Sequence, residues 1–128
     1  MPRFFISYVY EDKAYKEQIR DWWKKGELDD WSPLHETEDL RPSGSRAVRR
    51  HLSPLIQRSS ALVLLVGDNN HNHEWIRYEV DHAMSSRIPV ILLRLPNTRG
   101  APPLSVRNQT EIPFSPFSLL YALDTCGA

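Results

Sequence analysis

The chain has 128 residues, of which 41% are hydrophobic and 25% charged, with a mean hydropathy of −0.49, a composition typical of a soluble globular protein of one-domain length. Sixteen basic residues balance sixteen acidic ones, so no net charge favours nucleic acid or an anionic membrane as a partner. The lone cysteine, Cys126, excludes an intrachain disulfide, and with no apolar run near 20 residues and no secretory signal we expect a cytoplasmic protein without a membrane partner.

The first quarter of the chain predicts a strand followed by a helix. Residues 3–8, RFFISY, form a short aromatic and apolar run that indicates a buried strand. Glu11 and Asp12 then open a helix, and Gly26 is predicted as its C′ residue. The apolar residues of this helix recur at i, i+4, i+7 and i+8; they are Tyr15, Ile19, Trp22 and Trp23.

Residues 27–42 are acidic, contain two prolines and carry only a weak strand pattern at 31–36, so the pattern leaves their conformation open. A second helix is predicted after them, capped by Ser43 or Ser45. Pro54 lies within its pattern and predicts a kink or break near His51. The apolar face of this helix is Val48, Leu52, Leu55 and Ile56.

The second half alternates apolar strands with helices. The predicted elements are a central strand at 61–66, a helix at about 74–86, a strand at 89–95, an irregular stretch at 96–109 and a short strand at 110–113. Ser115 followed by Pro116 predicts the cap and first residue of a final helix. That helix carries Phe117, Leu120 and Tyr121.

This order of elements predicts an α/β fold with a central five-stranded parallel sheet covered by helices on both faces, a three-layer sandwich. In such folds a ligand lies beyond the carboxyl ends of the strands, at the switch point beside the first strand. Here that place is formed by residues 7–12, the loop after Val66 and the helix that follows it.

The third predicted helix carries two stripes. The stripe expected to face the sheet is Ile76, Val80, Ala83 and Met84, and the other, about 100° away, is Trp75, Tyr78, Glu79 and His82. Two aromatic residues beside a carboxylate could hold a base or ribose. The plainer interpretation, which the spacing alone favours, is that the aromatics cover the edge of the core while Glu79 is solvated.

Other chemical motifs are weak or missing. His71, His73 and His82 lack a further ligand at a suggestive spacing, so we predict no metal site. The sequence contains no GxGxxG, Walker or Gly-x-Ser-x-Gly motif, which removes the main support for a dehydrogenase, a P-loop NTPase or an α/β-hydrolase.

Two segments, RFFISYVYEDKAYKEQIRDWW and SSALVLLVGDNNHNHEWIRYEVDHAMSSRIPVILL, resemble the TIR-like domains of bacterial anti-phage systems, especially the Thoeris TIR protein group. The resemblance spans residues 3–95, and its most specific part is the spacing of Trp75, Tyr78 and Glu79. It implies a single TIR-like domain over residues 1–128 with a flavodoxin-like fold.

The resemblance also implies an activity. Glu79 matches the glutamate with which this family cleaves NAD at the nicotinamide–ribose bond or builds cyclic or conjugated ADP-ribose signals, so NAD is expected as a substrate and no cofactor is expected. Self-association on activation and a separate effector reached through the nucleotide signal are the expected partners. The residues expected to line or shape the pocket are Phe5, Ser7, Tyr8, Trp75 and Tyr78.

Two other functions remain open on the sequence. One is a non-catalytic TIR-like interaction module, which would use the acidic residues 27–39 for docking and would not depend on Glu79. The other is a nucleoside deoxyribosyltransferase-like enzyme, which would exchange bases between free nucleosides without NAD. Fold similarity alone does not decide among the three.

Overall fold

The computed structural model describes residues 2–34, 54–70 and 73–126 of the chain. Its strands and helices are β1 (Arg3–Ser7), α1 (Lys13–Lys24), β2 (Ser32–Pro33), β3 (Ala61–Val66), α2 (Glu74–Ser85), β4 (Val90–Arg94), β5 (Glu111–Pro113) and α3 (Pro116–Cys126). Residues 54–57 are also helical, and single 3₁₀ turns lie at Tyr10–Asp12 and Leu104–Val106. Among the helices of these three ranges, none has both the length and the apolarity that a membrane crossing requires.

The five strands form one sheet in the order β2-β1-β3-β4-β5, and every neighbouring pair is parallel. The predicted five-stranded parallel sheet is therefore confirmed. The chain moves outward from β1 in one direction to β2 and in the other to β3, so the switch point lies between β1 and β3. Ser7, the last residue of β1, pairs there with Leu64 of β3.

The core consists of two apolar layers, one on each face of the sheet. Helices α1 and α3 cover the first face, where Ile19 and Leu123 pack with Phe4 and Ile6. Helix α2 covers the second face, where Ile76 packs with a separate set of strand residues. All six residues of β3 are fully buried, since this strand lies in the middle of the sheet with a layer on each side.

Helix α1 ends in a Schellman motif centred on Gly26. The N–H of Gly26 donates to the carbonyl of Trp23, and the N–H of Glu27 donates to the carbonyl of Trp22. Gly26 has a φ of +79°, a conformation that a residue without Cβ adopts at low cost. The predicted C′ role of Gly26 is confirmed.

Helix α3 begins with a side-chain cap, as predicted. The Ser115 hydroxyl accepts a hydrogen bond of 3.1 Å from the N–H of Ser118, one of the N–H groups that the first turn of a helix leaves without a partner. Pro116, which has no N–H to satisfy, occupies the first helical position.

We expect Ser115→Ala to lower the free energy of unfolding by about 1 kcal/mol, because the Ser118 N–H then loses its acceptor. Urea titration measures this loss. Ser118→Ala, three residues later in the same helix, keeps the cap and is the control; it should leave stability unchanged or slightly higher, since Ala favours helix. An equal loss in both variants would contradict the capping role.

Most predicted boundaries agree with the structure to within one residue, and the strand predicted at 61–66 agrees at both ends. The weak strand predicted at 31–36 is observed as β2 alone, with residues 35–36 outside the described ranges. The predicted caps of the second helix, most of its apolar face and the break near His51 also fall outside them. Leu55 and Ile56, which are described, are half-buried and buried as expected.

Predicted positions on three helices differ from those observed. On α1, Trp23 is 37% exposed and lies outside the apolar layer that includes Tyr15, Ile19 and Trp22. Helix α3 buries Leu119 and Leu123, whereas Phe117 and Tyr121 are exposed. The two pairs are offset by two residues, about 200° around a helix, so they lie on opposite sides. On α2, Met84 is 46% exposed and does not join the sheet-facing stripe, because it lies in the last turn at the margin of that stripe.

Candidate functional site

The candidate site is built around Glu79, which lies on α2, and Ser7, which ends β1. The Ser7 hydroxyl donates a hydrogen bond of 2.9 Å to Oε1 of Glu79. Both side chains are 0% exposed. The carboxylate that sequence spacing left open as solvated is therefore buried at the switch point of the sheet.

The pleat of β1 determines which of its side chains reach Glu79. Successive residues of a strand point to opposite faces, so Phe5 and Ser7 face α2 while Ile6 and Tyr8 face α1. Phe5 accordingly packs in the same apolar layer as Ile76, whereas Tyr8 belongs to the layer on the other face. The sequence-predicted group of Phe5, Ser7 and Tyr8 is thus divided between the two faces of the sheet.

Tyr8 has a different environment from the one expected. Lys16 of α1 donates a hydrogen bond of 3.3 Å to the Tyr8 hydroxyl, and its ammonium lies 5.0 Å from the centre of the Tyr8 ring. These contacts are made on the α1 side of the sheet. Tyr8 therefore packs on the α1 face of the sheet, whereas Ser7 and Glu79 meet on the α2 face.

The two predicted aromatic residues of α2 lie four residues and one residue before Glu79 in sequence, and both are half-buried. Trp75 packs against the apolar layer beneath α2. Tyr78 stacks on His82, with 5.8 Å between ring centres and 23° between ring planes. Trp75 therefore borders the layer that contains Phe5, whereas Tyr78 is turned toward the outer side of the helix.

An open groove of about 570 Å³ follows the outer side of α2. Glu79 is not part of its lining, since this side chain points inward to Ser7. The groove beside α2 therefore does not by itself give a ligand access to the Glu79 carboxylate. The residues that line the groove are Glu74, Arg77, Tyr78, Asp81, His82 and Ser85.

Three loops meet above the carboxyl end of β3. The Asp68 carboxylate accepts hydrogen bonds from the backbone N–H groups of Arg99 (2.8 Å) and Gly100 (2.7 Å). These bonds lower the pKa of Asp68. A Cβ placed on Gly67 would lie 2.8 Å from Oδ2 of Asp12, so the loop after β1 touches the same point.

The burial of Asp12, where these three loops meet, was not expected from the sequence. Its side chain is 9% exposed, and Oδ2 has no hydrogen-bond partner in the described part of the chain. Burial raises the pKa of the Asp12 carboxyl, and the negative charges of Glu11 and Asp68 raise it further. The sequence placed Asp12 at the start of a helix, but nothing in the pattern indicated that its carboxyl would be enclosed.

We expect Asp12→Asn to stabilise the protein at neutral pH by about 0.5–1 kcal/mol. The replacement removes a buried charge whose Oδ2 lacks a hydrogen-bond partner in the described ranges, and Asp12 makes no side-chain cap hydrogen bond that would be lost. A raised pKa means that the folded state binds the proton more tightly than the unfolded state. The loss of stability that the Asp12 charge causes therefore grows as the pH rises from about 4 through the folded-state pKa. Below about pH 4 the carboxyl is protonated in both states and this loss is absent.

Urea unfolding of wild type and Asp12→Asn at pH 7 and at pH 3.5 checks this, with a gain expected only at pH 7. Glu11→Gln makes the same change of charge at an exposed neighbour and should give a smaller gain. An Asp12→Asn protein that is less stable than the wild type at pH 7 would show that the negative charge of Asp12 stabilises the folded state.

Histidines near the site do not assemble into a metal centre within the described ranges. No group of three or more His, Cys, Asp or Glu side chains converges there as ligands. His73 and His82 each have a buried ring nitrogen, Nδ1 and Nε2 respectively, for which the described residues offer no hydrogen-bond partner. His71 lies outside the described residues.

The sheet order and the enclosed glutamate beside its switch point define a flavodoxin-like α/β protein with an acidic site on the second helix-covered face. The family model described as "Thoeris protein ThsB, TIR-like domain" matches residues 5–100. The chain therefore belongs to the Thoeris ThsB TIR-like family.

Comparison of structures finds the same fold in an enzyme of a different description. The 2-desoxiribosyltransferase from Leishmania mexicana superposes with a TM-score of 0.64 and is 13% identical, over 98% of this chain and 99% of its own. At this identity the likeness shows the fold alone. No curated protein matches the chain in sequence.

Proposed function

We propose that this protein is a NAD-processing enzyme of bacterial anti-phage defence. It cleaves the bond between nicotinamide and ribose and so makes a signal derived from ADP-ribose. The observation that carries this proposal is the Glu79 carboxylate, fully buried and hydrogen-bonded to Ser7 at the switch point of the sheet. Membership of the Thoeris TIR-like family supports the same assignment.

The chemistry needs few groups. Nicotinamide leaves from a cationic pyridinium as a neutral molecule, so no general acid is required. The ribose then carries developing positive charge, and one carboxylate beside it stabilises an oxocarbenium-like transition state. In a buried site this charge stabilisation is stronger than in water. Glu79 is the residue to which we assign that role.

The burial of Glu79 bears on regulation. A side chain with 0% exposed surface does not touch a substrate until neighbouring groups move. A protein in this state is inactive until triggered, and we propose that self-association after infection supplies the trigger in the cytoplasm. The nucleotide product then reaches a separate effector protein.

A nucleoside deoxyribosyltransferase-like activity is the second candidate, and the fold shared with the Leishmania mexicana enzyme motivates it. The two activities use different substrates, since base exchange needs a deoxynucleoside and a free base but no NAD. A non-catalytic interaction module would process neither set.

Mass spectrometry of extracts from phage-infected cells that express the protein tests these candidates. Release of nicotinamide with an ADP-ribose-derived product, absent from cells without the protein, is the expected result. In parallel, purified protein is given a deoxynucleoside and a free base. Base exchange without NAD consumption would favour the second candidate, and no conversion of either kind would favour the interaction module.

A further inference from the structure

Ser7 is fully enclosed at the end of β1, an inner strand of the sheet. Its side chain is 0% exposed, and its backbone is held in the sheet by pairing with Leu64 of the central strand β3. Its hydroxyl reaches across to α2 and donates to Oε1 of Glu79 at 2.9 Å. The sequence had suggested a pocket-lining role for Ser7.

Buried apolar side chains lie beside this hydrogen bond. One buried cluster contains Phe5 of β1 and Val9, two residues before and after Ser7, together with Ile76 and Val80 of α2. A hydrogen bond to a carboxylate in such a low-dielectric environment is stronger than one in water. Loss of the Ser7 donor would therefore change the position and the charge stabilisation of the Glu79 carboxylate.

We infer that Ser7 is a positioning residue for Glu79, an inference that rests on the proposed function. A glutamate side chain has three rotatable bonds, and a donor fixed on a sheet strand selects one orientation of the carboxylate. Stabilisation of charge on a sugar depends on that orientation, because the oxygens must lie where the charge develops. Ser7 acts through Glu79 and does not contact the substrate.

Ser7→Ala tests this role by steady-state kinetics of nicotinamide release, in extracts where the wild type is active. We expect kcat to fall about tenfold to a hundredfold with little change in KM, because the variant loses a hydrogen bond to a charged group but no substrate contact. Ser59→Ala is the matched control: it removes another buried hydroxyl, which donates to the carbonyl of Ile56 on a different segment, and should leave kcat unchanged.

A double-mutant cycle measures the same contact without any activity. Ser7→Ala removes one donor to the buried carboxylate, Glu79→Leu removes the acceptor of the Ser7 hydroxyl, and the double variant removes both groups of this hydrogen bond together. We expect the pair to be coupled by about tenfold in the folding equilibrium constant, measured by urea unfolding of the four proteins.

The two measurements separate the inference from the proposed function. A wild-type protein that never releases nicotinamide would refute the proposed function. Coupling between Ser7 and Glu79 in the double-mutant cycle would still support the positioning of Glu79 by Ser7. Additive effects in the cycle would overturn the inference. So would a Ser7→Ala protein with wild-type kcat and a raised KM, which would mark Ser7 as a substrate contact.

Discussion

Glu79→Gln is expected to reduce the turnover of NAD by about a hundredfold to a thousandfold while leaving KM nearly unchanged. Gln has the shape of Glu and still accepts a hydrogen bond from Ser7, but it lacks the negative charge that stabilises an oxocarbenium-like ribose. An interaction made only in the transition state lowers kcat and kcat/KM equally when it is lost. Steady-state release of nicotinamide by the activated protein measures both constants.

The control is Glu17→Gln, the same chemical change at an exposed position of α1. It should turn over NAD like the wild type. Thermal unfolding should show that Glu79→Gln is folded, since Gln has the shape of Glu and still accepts the hydrogen bond from Ser7. Full turnover by a folded Glu79→Gln protein would remove Glu79 from the mechanism.

Gly100→Ala is expected to have the largest effect on stability, a loss of about 2–3 kcal/mol. A Cβ at this position would overlap the carbonyl oxygen of Gly67 and would lie 2.7 Å from Cα of Asp68. Both are backbone atoms, which do not move aside as a side chain does. The loop after β3 and the loop after β4 would have to separate, and Asp68 would lose its hydrogen bonds to Arg99 and Gly100.

Gly26→Ala provides the comparison, because no atom lies within 4 Å of the added Cβ and only the φ of +79° is unfavourable. We expect it to cost about 1 kcal/mol. Urea unfolding of both variants distinguishes crowding from backbone conformation. A Gly100→Ala protein no less stable than Gly26→Ala would show that the loops tolerate separation.

The sequence predicted the fold well where an apolar run is bounded by residues that favour turns. The run at 61–66 lies between Ser60 and Gly67, and β3 has those bounds. Edge strands were harder, because a strand of two or three residues such as β2 or β5 has too short a pattern to define its ends. Helix α3 shows another limit: its apolar residues surround the helix, so the pattern did not reveal that Leu119 and Leu123 face the sheet.

The site was predictable only in part. On a regular helix, Glu79 and Met84 lie about equally far from the centre of the stripe formed by Ile76, Val80 and Ala83, roughly 70° to either side. Spacing therefore does not tell which of the two is buried. Glu79 is buried because its side of α2 meets the Ser7 hydroxyl, whereas Met84 lies in the exposed last turn.

Other features of the site depend on long-range contacts. Ser7 and Tyr8 face opposite sides of the sheet because successive residues of a strand alternate between its faces, and this could have been predicted from the sequence. The enclosure of Asp12 was not, since it depends on a loop 55 positions later, at Gly67. The hydrogen bonds of Asp68 join residues 31 and 32 positions apart, for which no local pattern exists.

The outer strands of the sheet limit how copies of this protein can assemble. β2 has two residues and β5 has three, and each includes a proline, Pro33 or Pro113, which offers no N–H to a neighbouring chain. Neither margin is therefore suited to continuing the ladder into a second molecule. The self-association that we propose should therefore use contacts between helices and loops, which leave each sheet separate. Infrared spectra of an assembled form should show no additional intermolecular β signal.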